Sequence, residues 1–428
     1  MCVHSCRNRI LTDNPVTKAA KPATLKTTCC IAGGGPAGMM LGYMLARSGV
    51  KVIVLEKHAD FLRDFRGDTV HPSTLEALYE LGLLDDFLKR PHDEVTELAG
   101  RIGDTVVKIA DFTHLPTHAK FIALTPQWEF LDFLVQAGKR YPEFQVMMSA
   151  EAVDLTEADG KITGVKVVTA DGPLTVEADV VIAADGRKST LREKAGMEVH
   201  DLGSPIDVLW MRLPREAGDP VAALGNLGPG YMFVMIPRTD YYQCGFVVKK
   251  GGFDTLRKKP LKAFRDRIAE IVPFMADRVE TLKRWDDIKL LTVTIDRLER
   301  WWRPGFLCIG DAAHAMSPVG GVGINLAVAD AVAAANALAS PLARDQLRDA
   351  NLADVQYRRQ RAVKTMQAVQ LAVQDRVLST ALDSTTPLEV PAVARLLNGF
   401  GLLRRLPARV VGMGFRMEHV RTKDIHPR

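Results

Sequence analysis

Apolar positions between residues 27 and 56 follow the order of a strand, a turn, a helix and a second strand. Thr28–Ala32 is a short apolar run, and Met39–Arg47 has the apolar density of a helix. Lys51–Glu56 has the continuous pattern of a buried parallel strand. A glycine-rich turn, Gly33–Gly38, joins the first strand to the helix. This order predicts an α/β unit with parallel strands.

Two later segments also lead from an apolar strand into a loop and a helix. Val180–Arg192 contains a strand that runs into Asp185-Gly186 and a helix start. Phe306–Asn325 contains a strand that ends in Gly310-Asp311, and a glycine-rich loop and an Ala-rich helix over 324–339 follow it. The N-terminus of that helix exposes backbone N–H groups and therefore suits negative charge.

The residues between these segments are typical of strands. Residues 151–184 alternate in polarity around Asp159-Gly160 and Asp171-Gly172, as hairpins do. The remaining pattern predicts strands at 206–213, 231–237, 241–249 and 288–295, a helix at 256–270 and a long charged helical run at 347–378.

The composition is that of a globular protein. Of the 428 residues, 47% are apolar and 25% are charged, and at roughly 150 residues per domain the length predicts two or three domains. The formal net charge of +5 is too small to indicate binding of nucleic acid. The most apolar helical run, Ile324–Leu338, is interrupted by Asn325, Asp330 and Asn336, so we do not expect an integral membrane protein.

The first residues and the cysteines favour a cytoplasmic protein. Residues 1–26 mix basic residues and prolines without an apolar core, which predicts a disordered extension and not a secretory signal. The six cysteines repeat no spacing of a disulfide framework or a metal site. We therefore expect a reducing cytoplasm and no bound metal.

Gly33, Gly35 and Gly38 have the spacing and the surroundings of a dinucleotide-binding fingerprint. Gly33 permits the tight turn, Gly35 lets the backbone approach a pyrophosphate, and Gly38 lets the helix pack closely on the strand. Glu56 closes the second strand, where a carboxylate accepts a hydrogen bond from a ribose hydroxyl. No second fingerprint of this kind follows a strand, which argues against a two-dinucleotide-domain reductase and a simple NAD dehydrogenase.

With its three motifs in this order, the chain resembles the single-component flavoprotein monooxygenases of the para-hydroxybenzoate hydroxylase fold. The resemblance implies an α/β fold: a Rossmann-like FAD-binding domain with an inserted β-meander, a mixed-sheet substrate domain and C-terminal helices. The expected boundaries are an extension at 1–26, the FAD-binding domain at 27–198 and 301–345, the substrate domain at 199–300 and the C-terminal helical region at 346–428.

The resemblance also implies which residues bind FAD, without a covalent bond. It places Arg66 and its partner Gln127 on the flavin side, and it gives Asp311 the ribityl chain. The cofactor-binding residues it predicts are Gly33, Gly35, Pro36, Ala37, Gly38, Glu56, Lys57, Arg66, Gln127, Asp185, Gly186, Arg192, Gly310, Asp311, Pro318, Gly321, Val322, Gly323, Ile324 and Asn325.

Within the glycine-rich loop, backbone donors at 320–325 would stabilise the anion that develops on the flavin during reduction. Pro318, Gly320 and Gly321 flank the expected flavin, and no residue is assigned a catalytic role. The loop departs from many relatives, which carry Gln or Met where this chain has Val322 and Gly where it has Ala327.

The resemblance implies an oxidoreductase that depends on NADH or NADPH as a transient co-substrate. In such enzymes one oxygen atom of O₂ enters an electron-rich, aromatic or phenolic small molecule through a flavin hydroperoxide. Asp185-Gly186 with Arg192 favours this activity, because the family uses that motif for both FAD and the nicotinamide. An FAD-dependent epoxidase or dehydrogenase of the same fold, and a flavin-binding module without turnover, remain alternatives.

The substrate and the partners follow from less specific patterns. Tyr231, Phe233 and Met235 are candidates for an apolar substrate pocket, although period-two apolar residues in strands usually form core. Ala392–Met417 contains five arginines and no acid, which fits either a helical pair packed on the FAD domain, the interpretation we favour, or peripheral membrane contact. The chain is expected to be a monomer or a homodimer that binds no nucleic acid.

Overall fold

The computed structural model describes residues 23–62, 69–220 and 224–426. Arg66 and the first 22 residues of the predicted extension lie outside this part of the chain.

The described residues form strands and helices in alternating groups. The strands are β1 (Ala23–Ala32), β2 (Val52–Leu55), β3 (Thr69–Val70), β4 (Asp93–Val95), β5 (Glu97–Ile102), β6 (Thr105–Asp111), β7 (Ile122–Leu124), β8 (Phe144–Met147), β9 (Ala150–Ala158), β10 (Lys161–Thr169), β11 (Gly172–Ala183), β12 (Val199–Asp201), β13 (Ile206–Pro214), β14 (Leu224–Gly228), β15 (Tyr231–Pro237), β16 (Tyr241–Lys249), β17 (Lys289–Leu291), β18 (Asp296–Leu298), β19 (Trp302–Arg303) and β20 (Phe306–Cys308). The α-helices are α1 (Pro36–Arg47), α2 (Pro72–Glu80), α3 (Leu84–Phe87), α4 (Gln127–Gly138), α5 (Thr190–Lys194), α6 (Gly252–Arg257), α7 (Leu261–Ile271), α8 (Gly323–Ala343), α9 (Asp349–Val373), α10 (Ser379–Asp383), α11 (Ala392–Gly399) and α12 (Arg405–Met413).

An eight-stranded sheet forms the centre of the molecule. Its main path runs β19-β20-β11-β1-β2-β8, and the strands from β20 to β8 are parallel to one another. β9 and β10 pair antiparallel beside the first half of β11, which is the predicted β-meander. Helix α1 is buried from Ala37 to Ala46, and it packs against α8 and α4. The predicted α/β class and Rossmann-like architecture are therefore confirmed.

A second, mixed sheet has seven strands in the order β17-β13-β16-β15-β14-β5-β6. Only the β14–β5 pair is parallel among its pairings. Helices α6 and α7 cover one face, where Phe246, Phe264 and Ile268 share a buried apolar cluster. β5 and β6 come from residues predicted to belong to the FAD-binding domain, so the second sheet recruits strands from both sides of the predicted boundary at 199.

Some predicted elements differ from those in the structure. The first strand begins at Ala23 and not at Thr28, because its early residues pair with β11 from Ala23 opposite Leu174 onwards. The helix predicted at 256–270 is two helices, since Pro260 has no N–H to continue the hydrogen bonds of α6. The strand predicted at 288–295 is confined to β17, and the strand pairing resumes only in β18.

Helix α8 and the turn before it form the most apolar helical segment of the described chain. By length and composition the segment Val319–Ala343 could cross a membrane, but 78% of its most apolar window is buried inside the protein. α8 packs between α1 and α9. We therefore assign it to the core of the FAD-binding domain.

Candidate flavin site

The first glycine motif forms a turn at the carboxyl end of β1. Gly33 has a φ of +110°, and a Cβ atom there would lie 2.3 Å from the carbonyl oxygen of Ala184. A Cβ at Gly38 would lie 2.0 Å from the carbonyl oxygen of Gly33. A Cβ at Gly35, in contrast, would meet no atom within 4 Å. Gly33 and Gly38 are thus required by the protein's own packing, whereas the space beside Gly35 is available to a ligand.

Three further residues that were predicted to bind FAD belong to neighbouring elements. Glu56 follows β2, and its carboxylate accepts hydrogen bonds from the backbone N–H groups of Gly34 and His58, each at 3.0 Å. Lys57 is exposed beside it, and Gln127 is the half-buried first residue of α4. Contacts of Glu56, Lys57 and Gln127 with FAD remain predictions.

The second motif lies directly beside the first. Asp185 follows β11, and its Oδ2 atom accepts a hydrogen bond from the Leu191 N–H at 3.2 Å. Its Oδ1 atom is buried without a hydrogen-bond partner among the described residues. Burial raises the pKa of this carboxyl above its ordinary value, although Ser189 and backbone donors act in the opposite direction.

Arg192, which the resemblance assigns to cofactor binding, is buried. The residue is 8% exposed, and its side chain donates hydrogen bonds to the carbonyl groups of Ala312, at 3.2 Å, and Arg187, at 2.6 Å. Ser189 caps α5 by accepting a hydrogen bond from the Arg192 N–H. Arg192 therefore lies in the first turn of α5, with its side chain directed into the protein. Arg192 therefore connects the second motif to the third.

Arg187 is the more accessible arginine of this loop. Its Nη2 atom lies 3.3 Å from Oδ2 of Asp311, and both side chains are about one third exposed. Its Nη1 atom is buried without a hydrogen-bond partner in the described chain. The ion pair joins the second motif to the third across the end of the sheet.

A buried polar network holds the third motif, which consists of Gly310-Asp311 and the glycine-rich loop. The Gly310 N–H donates to Oδ2 of Asp330 at 3.0 Å, and His314 Nε2 lies 2.6 Å from the same oxygen. Arg359 donates to the other oxygen of Asp330 at 2.9 Å. All three side chains are at most 1% exposed. His314 and Arg359 hold the pKa of Asp330 below its ordinary value despite burial, so this carboxylate fixes the backbone next to Asp311.

The glycine-rich loop is tied to β3 and to the start of α2. Gly320 and Gly321 have φ values of +80° and +64°, and the Thr69 hydroxyl donates to the carbonyl of Gly321 at 3.0 Å. Asn325 Oδ1 accepts from the His71 N–H at 3.3 Å and from the Thr74 hydroxyl at 2.9 Å. The Asn325 side chain thus braces the protein, and any flavin contact from this residue is left to its backbone or to its amide nitrogen.

His71 connects the start of α2 to the C-terminal helix α12. Its Nδ1–H donates to the carbonyl of Val411 in α12 at 2.9 Å, since a carbonyl can only accept. Burial lowers the pKa of His71 to about 4, so the ring is neutral. The C-terminal helix therefore takes part in holding the glycine-rich loop.

The residues present fit a bound FAD. Asp185 Oδ1, Arg187 Nη1 and Asn325 Nδ2 are buried polar atoms without hydrogen-bond partners in the described residues, and they come from the second and third motifs. Buried polar atoms normally have partners, so these three indicate a polar ligand. The space at Gly35 and the first N–H groups of α8, which have no partners within the helix, suit its anionic parts. Pro36 and Ala37 begin α1, Gly186 has a φ of +87°, and Pro318, Val322, Gly323 and Ile324 surround the start of α8.

The structure does not bring the predicted substrate residues to this site. Phe233 and Met235 are 0% and 3% exposed and pack in the cluster under α6 and α7. Tyr231 packs against the same cluster, with Arg267 of α7 over its ring at 4.9 Å. Strand alternation defines two faces of β15 without saying which one meets the cofactor, so a substrate role for these three residues stays a prediction.

The opposite face of the second sheet points to the glycine-rich loop. Met232 and Trp210 pack against an apolar cluster that also contacts Val319, the residue after Pro318. Trp210 pairs with Gly245 across β13 and β16, and a Cβ at Gly245 would lie 3.1 Å from its indole ring. Sequence reasoning counted Trp210 and Met232 among the aromatic and methionine residues of this sheet without selecting them as substrate residues, and it missed Arg187 and Thr69. The sequence did contain a sign of the buried network. Asp330 is a single carboxylate within the apolar helix α8, and a buried carboxylate needs partners that donate hydrogen bonds or carry positive charge.

The family relationship is shown by comparison with known proteins. Residues 26–372 match a family described as FAD binding domain. The chain is 33% identical over 392 residues to 6-methylpretetramide 4-monooxygenase of Streptomyces rimosus, with 89% of this chain and 92% of that protein covered. It is also 27% identical over 312 residues to 12-dehydrotetracycline 5-monooxygenase/anhydrotetracycline 6-monooxygenase of Streptomyces rimosus subsp. rimosus, of which it spans 60% while 71% of this chain is covered.

Solved structures show the same fold. The p-nitrophenol 4-monooxygenase of Pseudomonas putida DLL-E4 matches with a TM-score of 0.73 and 19% sequence identity, covering 92% of this chain and all of that one. Since the family match spans most of the chain and a relative of similar length is 33% identical, this protein belongs to the FAD-dependent aromatic hydroxylases and is an FAD-dependent monooxygenase.

Proposed function

We propose that this enzyme uses NADH or NADPH and O₂ to insert one oxygen atom into an electron-rich, polycyclic phenolic small molecule. The names of the two Streptomyces relatives support a substrate of this size and type. The observation that carries the proposal is the apolar sheet face with Trp210 and Met232, which pack against the same cluster as Val319 of the glycine-rich loop. A flat aromatic molecule fits between such a face and a flavin ring.

Bound FAD supplies the electron transfer and the activation of O₂, and the chain supplies binding and orientation. The space at Gly35 would receive the pyrophosphate, and the partly exposed Asp311 would accept hydrogen bonds from the ribityl chain. Asp185 and Asn325 offer the buried polar atoms that lack protein partners in the described residues. The apolar cluster that Val319 packs against would exclude water from the place where the substrate meets the flavin.

The substrate lies on the glycine-bearing part of the second sheet. Gly225 and Gly245 pair with Val234 on the face that carries Trp210 and Met232. A Cβ at Gly225 would have the Met232 methyl group, at 3.9 Å, as its nearest neighbour, so there is space at this position although α10 contacts β14 and β15 nearby. Trp210 and Met232 therefore replace Phe233 and Met235 as the substrate-contacting residues of this proposal.

The nicotinamide cofactor binds transiently near Arg187. This arginine is about one third exposed beside Asp311. An exposed guanidinium attracts the phosphate groups of an anionic cofactor. Arg187 thereby takes the role that the sequence gave to Arg192.

The assembly and location of the enzyme belong to the same proposal. We expect a monomer or a homodimer. A cytoplasmic location fits the cysteines described by the structure, Cys29, Cys30, Cys244 and Cys308, which are all free and buried.

A substrate screen tests the function. The purified holoenzyme is mixed with NADH or NADPH and a panel of polycyclic and monocyclic phenols, and nicotinamide oxidation is followed by absorbance. We expect polycyclic phenols to accelerate the oxidation and to be hydroxylated. Acceleration without an oxygenated product would indicate a dehydrogenase or an oxidase, and no response to any phenol would contradict the proposed substrate class.

A further inference from the structure

The C-terminal helices present an unusually apolar surface to solvent. Neither α11 nor the turn Gly401–Arg404 contains a buried residue. Six large apolar side chains in this region are between 41% and 70% exposed: Val393, Leu396, Phe400, Leu402, Leu403 and Leu406. We call these six residues the exposed apolar patch. Contiguous apolar patches of this kind mark interaction surfaces.

The segment that carries the exposed apolar patch is basic, with no acidic residue between residues 390 and 417. Arg395, Arg405, Arg409 and Arg416 are exposed; Arg405 lies near His114 and Asp111 of the protein, and Glu389 lines a pocket with Arg395. The remaining arginine of the segment, Arg404, instead donates to the carbonyl groups of Leu397 and Asn398 and closes the end of α11. The surface therefore combines leucine and phenylalanine side chains with exposed guanidinium groups.

The helices are held in place with this surface outward. Asn398 accepts a hydrogen bond from the Lys108 N–H at 3.2 Å and donates to the Val106 carbonyl at 3.1 Å, both on β6. Ala408 is fully buried in α12, and a Cβ at Gly412 would crowd Leu115, Phe112 and Pro72. The packing interpretation of this region thus accounts for the buried side of α12 and leaves the patch uncovered on α11, the following turn and the start of α12 at Leu406.

The charge decides which partner suits the patch. A symmetric contact with a second copy would place the same arginines of both copies close together, which is unfavourable. An anionic lipid surface complements them, and leucine and phenylalanine side chains enter the boundary between headgroups and acyl chains. We propose that the exposed apolar patch and its arginines dock this enzyme on an anionic membrane, beyond its proposed monooxygenase function.

Vesicle flotation with the full-length holoenzyme tests this docking. The probes are vesicles of phosphatidylcholine alone and of phosphatidylcholine mixed with phosphatidylglycerol, at low and high salt. We expect binding only to the mixed vesicles and weaker binding at high salt. Since each arginine near an anionic surface contributes about fivefold in affinity, Arg395→Glu with Arg409→Glu should reduce binding more than tenfold.

Apolar and matched control variants complete the test. Leu402→Ser with Leu406→Ser should abolish flotation while the flavin absorbance and thermal unfolding stay unchanged. Arg344→Glu and Leu290→Ser change exposed residues elsewhere and should float as the unmodified enzyme does. Equal binding to both vesicle types, or no binding to either, would overturn the proposal. A dimer in solution that Leu402→Ser with Leu406→Ser converts to a monomer, without vesicle binding, would assign the patch to a second copy. Flotation needs no turnover, so its failure would leave the monooxygenase function intact.

Discussion

Two regions contribute to the proposed site in different ways. The flavin edge is the end of the first sheet where the three motifs follow β1, β11 and β20. The substrate face is the side of the second sheet that carries Trp210 and Met232. At the flavin edge, backbone geometry determines which residues are tolerated, because Gly33 and Gly38 have no room for a Cβ atom. On the second sheet, side chains decide, and neighbouring residues of β15 such as Met232 and Phe233 belong to opposite faces. A change at the flavin edge should therefore alter the cofactor, whereas a change on β15 should alter either the substrate or the core.

The largest effect is expected from the glycines of the first motif. Gly38→Ala places a Cβ 2.0 Å from the Gly33 carbonyl oxygen, so we expect loss of the folded FAD-binding domain and of flavin. Gly35→Ala meets no protein atom within 4 Å and has a φ of −75°, so the apoprotein should stay folded while FAD binding is lost. Thermal unfolding and the ratio of flavin to protein measure both. A Gly35→Ala protein that keeps its FAD would show that the pyrophosphate lies elsewhere.

The buried network below the flavin edge should have the next largest effect. Asp330→Asn removes the charge that faces Arg359 and His314, and leaving a buried partner uncompensated costs about 3–5 kcal/mol. Urea unfolding measures this change in the free energy of unfolding. The matched control is Asp286→Asn, whose exposed side chain lies 3.8 Å from Arg257 and should contribute less than about 1 kcal/mol. Equal losses for the two variants would refute a structural role of the network.

A pair of substitutions on β15 separates its two faces. Phe233→Ala should reduce the free energy of unfolding by about 3–5 kcal/mol, because the side chain is fully buried, and should leave the KM for the phenol unchanged. Met232→Ala should have a small effect on unfolding and should raise KM. Steady-state kinetics and urea unfolding of both variants provide the measurements. The reverse result would restore the sequence-based choice of Phe233.

His71 makes stability depend on pH. Its folded-state pKa of about 4 lies below the ordinary value of 6.5, so the unfolded chain binds the proton more readily. This contribution to stability is complete above about pH 6.5 and is lost as the pH falls toward 4. His71→Gln should flatten the stability profile in that window, and urea unfolding at several pH values is the measurement. An unchanged slope would mean that other groups cause it.

Asp311→Ala should have the smallest of these effects. The carboxylate is about one third exposed and already paired with Arg187, so its loss should weaken FAD binding by about one to two powers of ten and leave folding intact. Activity should largely recover when FAD is added to saturation. Titration of the apoprotein gives the affinity. If affinity is unchanged and saturated turnover collapses, Asp311 acts in the reaction itself.

The sequence predicted the flavin edge well because its constraints are local. A tight turn, a close helix–strand contact and a helix start each require particular residues within a few positions, and Gly33, Gly38 and Ser189 meet them. Arg192 and Arg187 show the limit of that approach. Which arginine turns inward depends on carbonyl groups more than a hundred residues away, such as that of Ala312.

The second sheet was predicted only as a set of strands. The pairing of β14 with β5 joins residues far apart in sequence, and alternation in β15 does not reveal that α6 and α7 cover Phe233. The face of a strand that meets a cofactor is decided by the other domain. Short-range patterns do not contain that information.

Oxygen-isotope labelling tests the central claim most directly. The holoenzyme is supplied with NADH or NADPH, an accepted phenol and ¹⁸O₂, and the product is analysed by mass spectrometry. The account predicts one ¹⁸O atom in each product molecule and none when the label is in water. A product that takes its oxygen from water, or an oxidised product without added oxygen, would contradict it.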